Sequence, residues 1–135
     1  MTPPRDRTPG PTIRRWAPRL LAAAFLTSGL IHLVRPQVFT GIVPRPLPAK
    51  RDLVYVSGLA EWTCALGLLR RARWAATASA VLLLAVWPAN LQMALDAQGG
   101  DSTAYAVVAW ARLPLQIPLI WAALQARRDV RPGAA

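Results

Sequence analysis

An all-α fold is predicted: a four-transmembrane-helix bundle with both ends in the cytoplasm and a proline-rich outer loop between helices 1 and 2. Three features of the sequence carry that expectation. Four apolar runs, Leu20 to Val34, Leu53 to Leu69, Trp74 to Leu95 and Ala104 to Ala126, take up most of the 135 residues. Runs of this kind suit about 30 Å of hydrocarbon at about 1.5 Å of helical rise per residue. Arginine is gathered in short blocks between the runs, as cations are where they mark the ends of membrane spans. The motifs of soluble catalysis, a glycine-rich phosphate loop or a Gly-x-Ser-x-Gly elbow, do not occur.

Composition narrows the function classes. Hydrophobic residues make up 54% of the chain and the formal net charge is +10. A basic balance of this size raises nucleic acid as a partner, but the charges interrupt apolar runs instead of lining one face of a soluble domain, so no nucleic-acid role is expected. Cys64 and His32 are the sole residues of their types. They allow no internal disulfide, no Cys-x-x-Cys redox motif and no metal site built from His and Cys alone. Haem and iron–sulfur ligation lack ligands for the same reason.

Taken in order, residues 1–15 hold four prolines and four arginines, too little apolar surface for a core, and read as a disordered cytoplasmic tail. A membrane domain over 16–126 follows, with spans at about 17–34, 53–69, 74–95 and 104–126, and then a second tail at 127–135. A basic start before an apolar run also suits a signal peptide, but no small-residue cleavage site follows it and three more spans do. The first run is short, and Arg19 and Arg35 can snorkel outward to extend it. Arg5, Arg7, Arg14, Arg15 and Arg19, then Arg70, Arg71 and Arg73, then Arg127, Arg128 and Arg131 all fall on one side of an even-span topology. The loop 96–103 carries Asp96 and Asp101 without a cation, so the positive-inside rule puts both termini in the cytoplasm. The other outer loop, RPQVFTGIVPRPLPAKRD, has four prolines that forbid a helix through its length. Its apolar residues Val38, Phe39, Ile42, Val43 and Leu47 predict a lid over the bundle mouth.

Ionisable residues inside spans cost ~2.5–3.5 kcal/mol on insertion scales and usually face the bundle interior with a partner. Glu61 lies ~12 Å from the outer end of span two and Arg112 ~12 Å from the outer end of span four, which predicts a direct ion pair. Ser57 and Cys64 share a face with Glu61, and Gln116 shares one with Arg112. Asn90 and His32 sit toward the outer ends of spans three and one. His32, Ser57, Glu61, Asn90, Arg112 and Gln116 therefore make up the predicted ligand pocket. Plainer readings compete with this one: a register lock for Glu61 and Arg112, interhelical glue for Asn90, a capping role for His32, and packing for Cys64. Pro88, Pro114 and Pro118 should kink their helices and free carbonyls, that of Leu84 among them, for Arg112 or Asn90. Trp16, Trp74 and Trp121 suit interfacial anchoring, whereas Trp62, Trp87 and Trp110 lie deeper, for packing or an aromatic ligand site.

The pattern His32, Pro36, Phe39, Ile42-Val43-Pro44 and Leu47-Pro48, followed by Tyr55-Val56-Ser57-Gly58-Leu59-Ala60-Glu61, Pro88-Ala89-Asn90 with Met93-Ala94, and Arg112-Leu113-Pro114-Leu115-Gln116, resembles the DoxX-like family of small four-helix integral membrane proteins. The likeness keeps its order over residues 20–125. It implies a four-helix membrane bundle. It also implies a link to a group that includes a small membrane subunit of a thiosulfate:quinone oxidoreductase and proteins tied to thiol redox maturation. This chain lacks the cysteine pair that disulfide exchange requires, which leaves a quinone-facing or accessory role.

The expected function is thus a redox-associated accessory subunit in a bacterial cell (inner) membrane, with a pocket for a quinone-like or small amphipathic ligand. No catalytic residue, metal or intrinsic cofactor is assigned, and quinone is the candidate ligand. The lipid bilayer and a membrane or periplasmic redox partner subunit are the expected partners. The small residues Ala22-Ala23-Ala24 and Ser28-Gly29 allow close packing within the bundle or in a homo-oligomer. The alternatives are a non-enzymatic scaffold or assembly partner and, ranked last, a small-molecule or lipid transporter.

Overall fold

The computed structural model describes residues 12–129. Its helices are α1 (Thr12–Val34), α2 (Gln37–Thr40), α3 (Lys50–Leu69), α4 (Ala75–Ala97) and α5 (Thr103–Gln125), with a closing 3₁₀ turn at Ala126–Asp129. Among the described residues there is no strand. Four of the helices are long and apolar enough to cross a membrane. The predicted span ends agree with the structure to within a few residues, except at the start of α1. That helix begins at Thr12, inside the segment assigned to the N-terminal tail, and continues through Pro18. At about 1.5 Å per residue its 23 residues reach about 34 Å, although its first two turns carry Arg14, Arg15 and Arg19 and the apolar run itself still starts at Leu20. The tail expectation for residues 1–11, and that for the chain beyond Asp129, lies outside the described residues.

The long helices form a ring in which α3 packs on α1 and α4, and α5 packs on α4 and α1. Large apolar side chains point outward: Leu20 is 65% exposed and Ile117 73%. Alanines fill the inside, with Ala22, Ala65, Ala109 and Ala123 fully buried. Lipid tails are as apolar as leucine, so close backbone approach through small residues holds such a bundle better than bulk does. The α1–α3 crossing shows this directly. A Cβ on Gly58 would lie 2.7 Å from the His32 Cβ and 3.1 Å from the Gly29 carbonyl. Trp62 closes the same contact by donating its indole N–H to the Leu26 carbonyl at 3.0 Å.

The two ends of the bundle differ in charge. The starts of α1 and α4 and the ends of α3 and α5 gather at an arginine-rich end. There α3 stops in a Schellman motif: Ala72 N–H donates to the Gly67 carbonyl at 2.9 Å and Arg71 N–H to the Leu68 carbonyl at 3.2 Å. Arg71 takes the left-handed position at φ 56°, where glycine is usual and a side chain costs roughly 1–2 kcal/mol. At the opposite, loop end, α5 starts at Ser102, whose Oγ accepts from the Tyr105 N–H at 3.3 Å.

Candidate functional site: a loop-capped polar cavity

The long loop folds over the end of the bundle. Its prolines permit only the single turn α2, and Phe39 from that turn stacks on the His32 ring at 3.8 Å with an interplanar angle of 11°. Ile42, Val43, Pro44 and Leu47 form the underside of the lid above a cavity of about 330 Å³. Val38, expected among the lid's apolar contacts, is 55% exposed. An exposed Arg45–Asp96 contact at 4.0 Å ties the loop to α4. The loop returns to α3 through Ala49, in left-handed conformation at φ 51°.

Five of the six predicted pocket residues line this cavity: His32, Ser57, Glu61, Asn90 and Arg112. Gln116 does not. It lies buried behind the wall, where its Oε1 accepts from Asn90 Nδ2 at 3.3 Å and its Nε2 donates to the Leu83 carbonyl. The expected donors to the carbonyl freed by Pro88, that of Leu84, are Arg112 and Asn90. Neither donates there: Gln116 donates to the carbonyl of Leu83, the residue before Leu84, which is not the one that Pro88 frees. The helices α4 and α5 run on through Pro88, Pro114 and Pro118.

The direct Glu61–Arg112 ion pair is not formed. Glu61 turns toward α1, where its Oε1 accepts from Ser28 Oγ at 3.1 Å and its Oε2 lies 3.5 Å from His32 Nδ1. The cause is rotational. Glu61 is three residues from Gly58, so both share the helical face that packs on α1. Equal depth brought Arg112 into the same cavity without bringing it into contact. Nδ1 of His32 donates to the Ser28 carbonyl at 2.8 Å, which orients the ring and puts the Nδ1 proton on the backbone side. Glu61 Oε2 is buried with no hydrogen-bond partner. Such an atom calls for a donor the protein does not supply.

Ser28 and Phe39 complete the site, and neither was among the predicted pocket residues. Ser28 had a legible signal: it precedes His32 by four residues and so shares its face. Phe39 was legible as part of the lid, but not as the residue that stacks on His32, because its position depends on the path of the loop. Cys64 packs in the apolar core, as its plainer reading held. Among the tryptophans, Trp16, Trp74 and Trp121 are exposed on the bundle surface, in keeping with anchoring. Trp87 and Trp110, for which packing is the plainer expectation, are each 41% exposed on the bundle surface. No tryptophan lines the cavity, so the aromatic-site expectation for Trp62, Trp87 and Trp110 is not met there.

A second, shallower cleft runs between α1 and α5, past Ala24, Thr27 and Ile31. It shares Ser28, Phe39 and Arg112 with the capped cavity. Arg112 is half-buried, placed where both spaces reach it.

Four apolar helices around a capped, partly charged cavity define a multi-pass membrane protein with an internal polar site. The chain belongs to the family described as domain of unknown function DUF8561, whose model matches residues 21–127 and so takes in the lid, the later part of α1 and the other three long helices. Neither the comparison with curated proteins nor that with solved structures yields a match.

Proposed function

We propose that the protein binds a small amphipathic molecule of quinone type in the loop-capped cavity and serves as an accessory subunit to a redox partner in a bacterial inner membrane. The observation that carries this reading is the pairing of an unpartnered acceptor, Glu61 Oε2, with a cationic donor, Arg112, in one cavity whose remaining walls are largely apolar. A quinol hydroxyl would donate to Glu61, a quinone carbonyl would accept from Arg112 or Asn90, and the ring would lie among Val54, Leu82 and Val86. The cleft between α1 and α5 offers such a molecule a way in from the side, past residues compatible with lipid. The DoxX-like resemblance supplies the redox part of the reading and the partner that would carry the redox centre. Arginine blocks at one end favour N-in, C-in topology, with the lid on the outer face.

Titration of the purified protein with a short-chain benzoquinone, followed by tryptophan fluorescence, tests the binding claim. Wild type should saturate, and Arg112→Ala should weaken binding roughly 10-fold or more, the loss of one charge-assisted hydrogen bond. A response that never saturates, or one that Arg112→Ala leaves intact, rules the site out.

A further inference from the structure

The arginine-rich end holds a third pocket, of about 420 Å³, well away from the lid. Arg15 and Arg19 from the first turns of α1 and Arg71 from the α3–α4 link line its rim, and Pro18, Leu68 and Ala126 form its floor. The floor residues are buried, whereas the three arginines are exposed. Leu69 opens the wall on one side and is 49% exposed. Among the described residues, none of the three guanidinium groups makes an ion pair within 4.0 Å. Three cationic residues thus border one concavity, and Arg19 also holds its guanidinium over the Trp16 ring, 5.1 Å from its centroid.

Two further observations separate this pocket from a general spread of positive charge. First, not every arginine of this end turns into it: Arg127 instead donates to Thr77 Oγ1 at 2.7 Å on α4. Second, Arg71 occupies the left-handed residue of the Schellman motif at φ 56°. Glycine would hold that turn with less strain. A side chain kept at a strained backbone position points to a use for the side chain.

From the three arginines and the apolar floor, we infer that this pocket binds the phosphodiester headgroup of an anionic membrane lipid. Arginine is suited to the oxygens of a phosphate because its planar fork donates two hydrogen bonds at once. A free phosphate would satisfy the same donors. The lipid is favoured because the pocket opens beside the exposed Leu69, where an acyl chain can run down the outside of α3 while the headgroup stays among the arginines. Basic pockets at the ends of membrane helices are suited to lipids of this charge.

The test uses the full chain in neutral detergent, titrated separately with phosphatidylglycerol, with phosphatidylcholine of the same acyl chains and with inorganic phosphate. Bound lipid is counted by native mass spectrometry, and the thermal unfolding midpoint is read in parallel. Phosphatidylglycerol should bind saturably and raise the midpoint, and phosphatidylcholine should do neither. Arg71→Gly separates folding from binding: without lipid it should unfold at or above the wild-type midpoint, yet bind phosphatidylglycerol at least about 5-fold more weakly, the loss of one charge-assisted contact. Arg127→Gln, outside the pocket, should bind as wild type does. Undiminished binding by Arg71→Gly overturns the proposal, as does an equal loss in Arg127→Gln, which would reveal diffuse attraction. Phosphate binding as tight as that of phosphatidylglycerol overturns the lipid assignment.

Discussion

The two helix pairs of the bundle are each joined by a buried polar connection, and the two connections are built differently. Between α4 and α5 the link is a neutral amide chain, in which Gln116 uses both ends of its side chain, accepting from Asn90 and donating to the Leu83 carbonyl. Between α1 and α3 the link is built on an ionisable group and is incomplete. Ser28 satisfies one oxygen of Glu61 and leaves the other unpartnered beside His32. A closed network rigidifies, whereas an open one awaits a further donor. The α4–α5 amides therefore hold the wall, and the α1–α3 carboxylate faces the space that the wall encloses. The plain reading of Asn90 as interhelical glue and the functional reading of Glu61 are compatible, because they concern different helix pairs.

The comparison can be broken most forcefully at the α1–α3 crossing. Gly58→Ala places a methyl 2.7 Å from the His32 Cβ, and overpacking of this kind costs about 1–3 kcal/mol. Thermal unfolding in detergent should show that loss, with ligand binding impaired as well because His32 and Glu61 move. A smaller effect is expected in the amide link. Gln116→Leu removes both of its hydrogen bonds and should destabilise by about 1–2 kcal/mol while benzoquinone affinity stays within about 2-fold, a shift of about 0.4 kcal/mol or less. A large loss of affinity in Gln116→Leu would dissolve the distinction between the two pairs. The smallest effect belongs to the lid's tether. Arg45 and Asp96 meet at 4.0 Å with Arg45 85% exposed, so Arg45→Ala should change stability by less than about 1 kcal/mol, as chemical denaturation would show.

Much of the cavity was legible because depth can be counted along a helix. Counting residues from the loop end put Glu61 and Arg112 at one level, with Asn90 and His32 nearer the end, and these four with Ser57 do line one space. Direction around the helix was harder to read. The ion pair failed because Gly58, three residues from Glu61, commits that face of α3 to α1. The glycine was visible in the sequence, but the partner it would pack against was not. The direction of Trp87 and Trp110 was hidden for a related reason, since each lies within a span yet is 41% exposed on the bundle surface. In a lipid-facing bundle a large apolar residue gains little by turning inward, so size and depth do not reveal orientation.

The sequence by itself determined that four long helices form, where they end and, apart from the start of α1, where they begin to within a few residues, and which end of the bundle carries the arginines. Apolar run length, proline and charge are local quantities, and they act before any helix meets another. Only the tertiary structure decided that Ser28 and not Arg112 meets Glu61, that Phe39 stacks on His32, and that Arg15, Arg19 and Arg71 share a pocket. Those outcomes depend on how each helix is rotated against its neighbour and on the path of a proline-rich loop, and both are set by close packing between residues far apart in the chain.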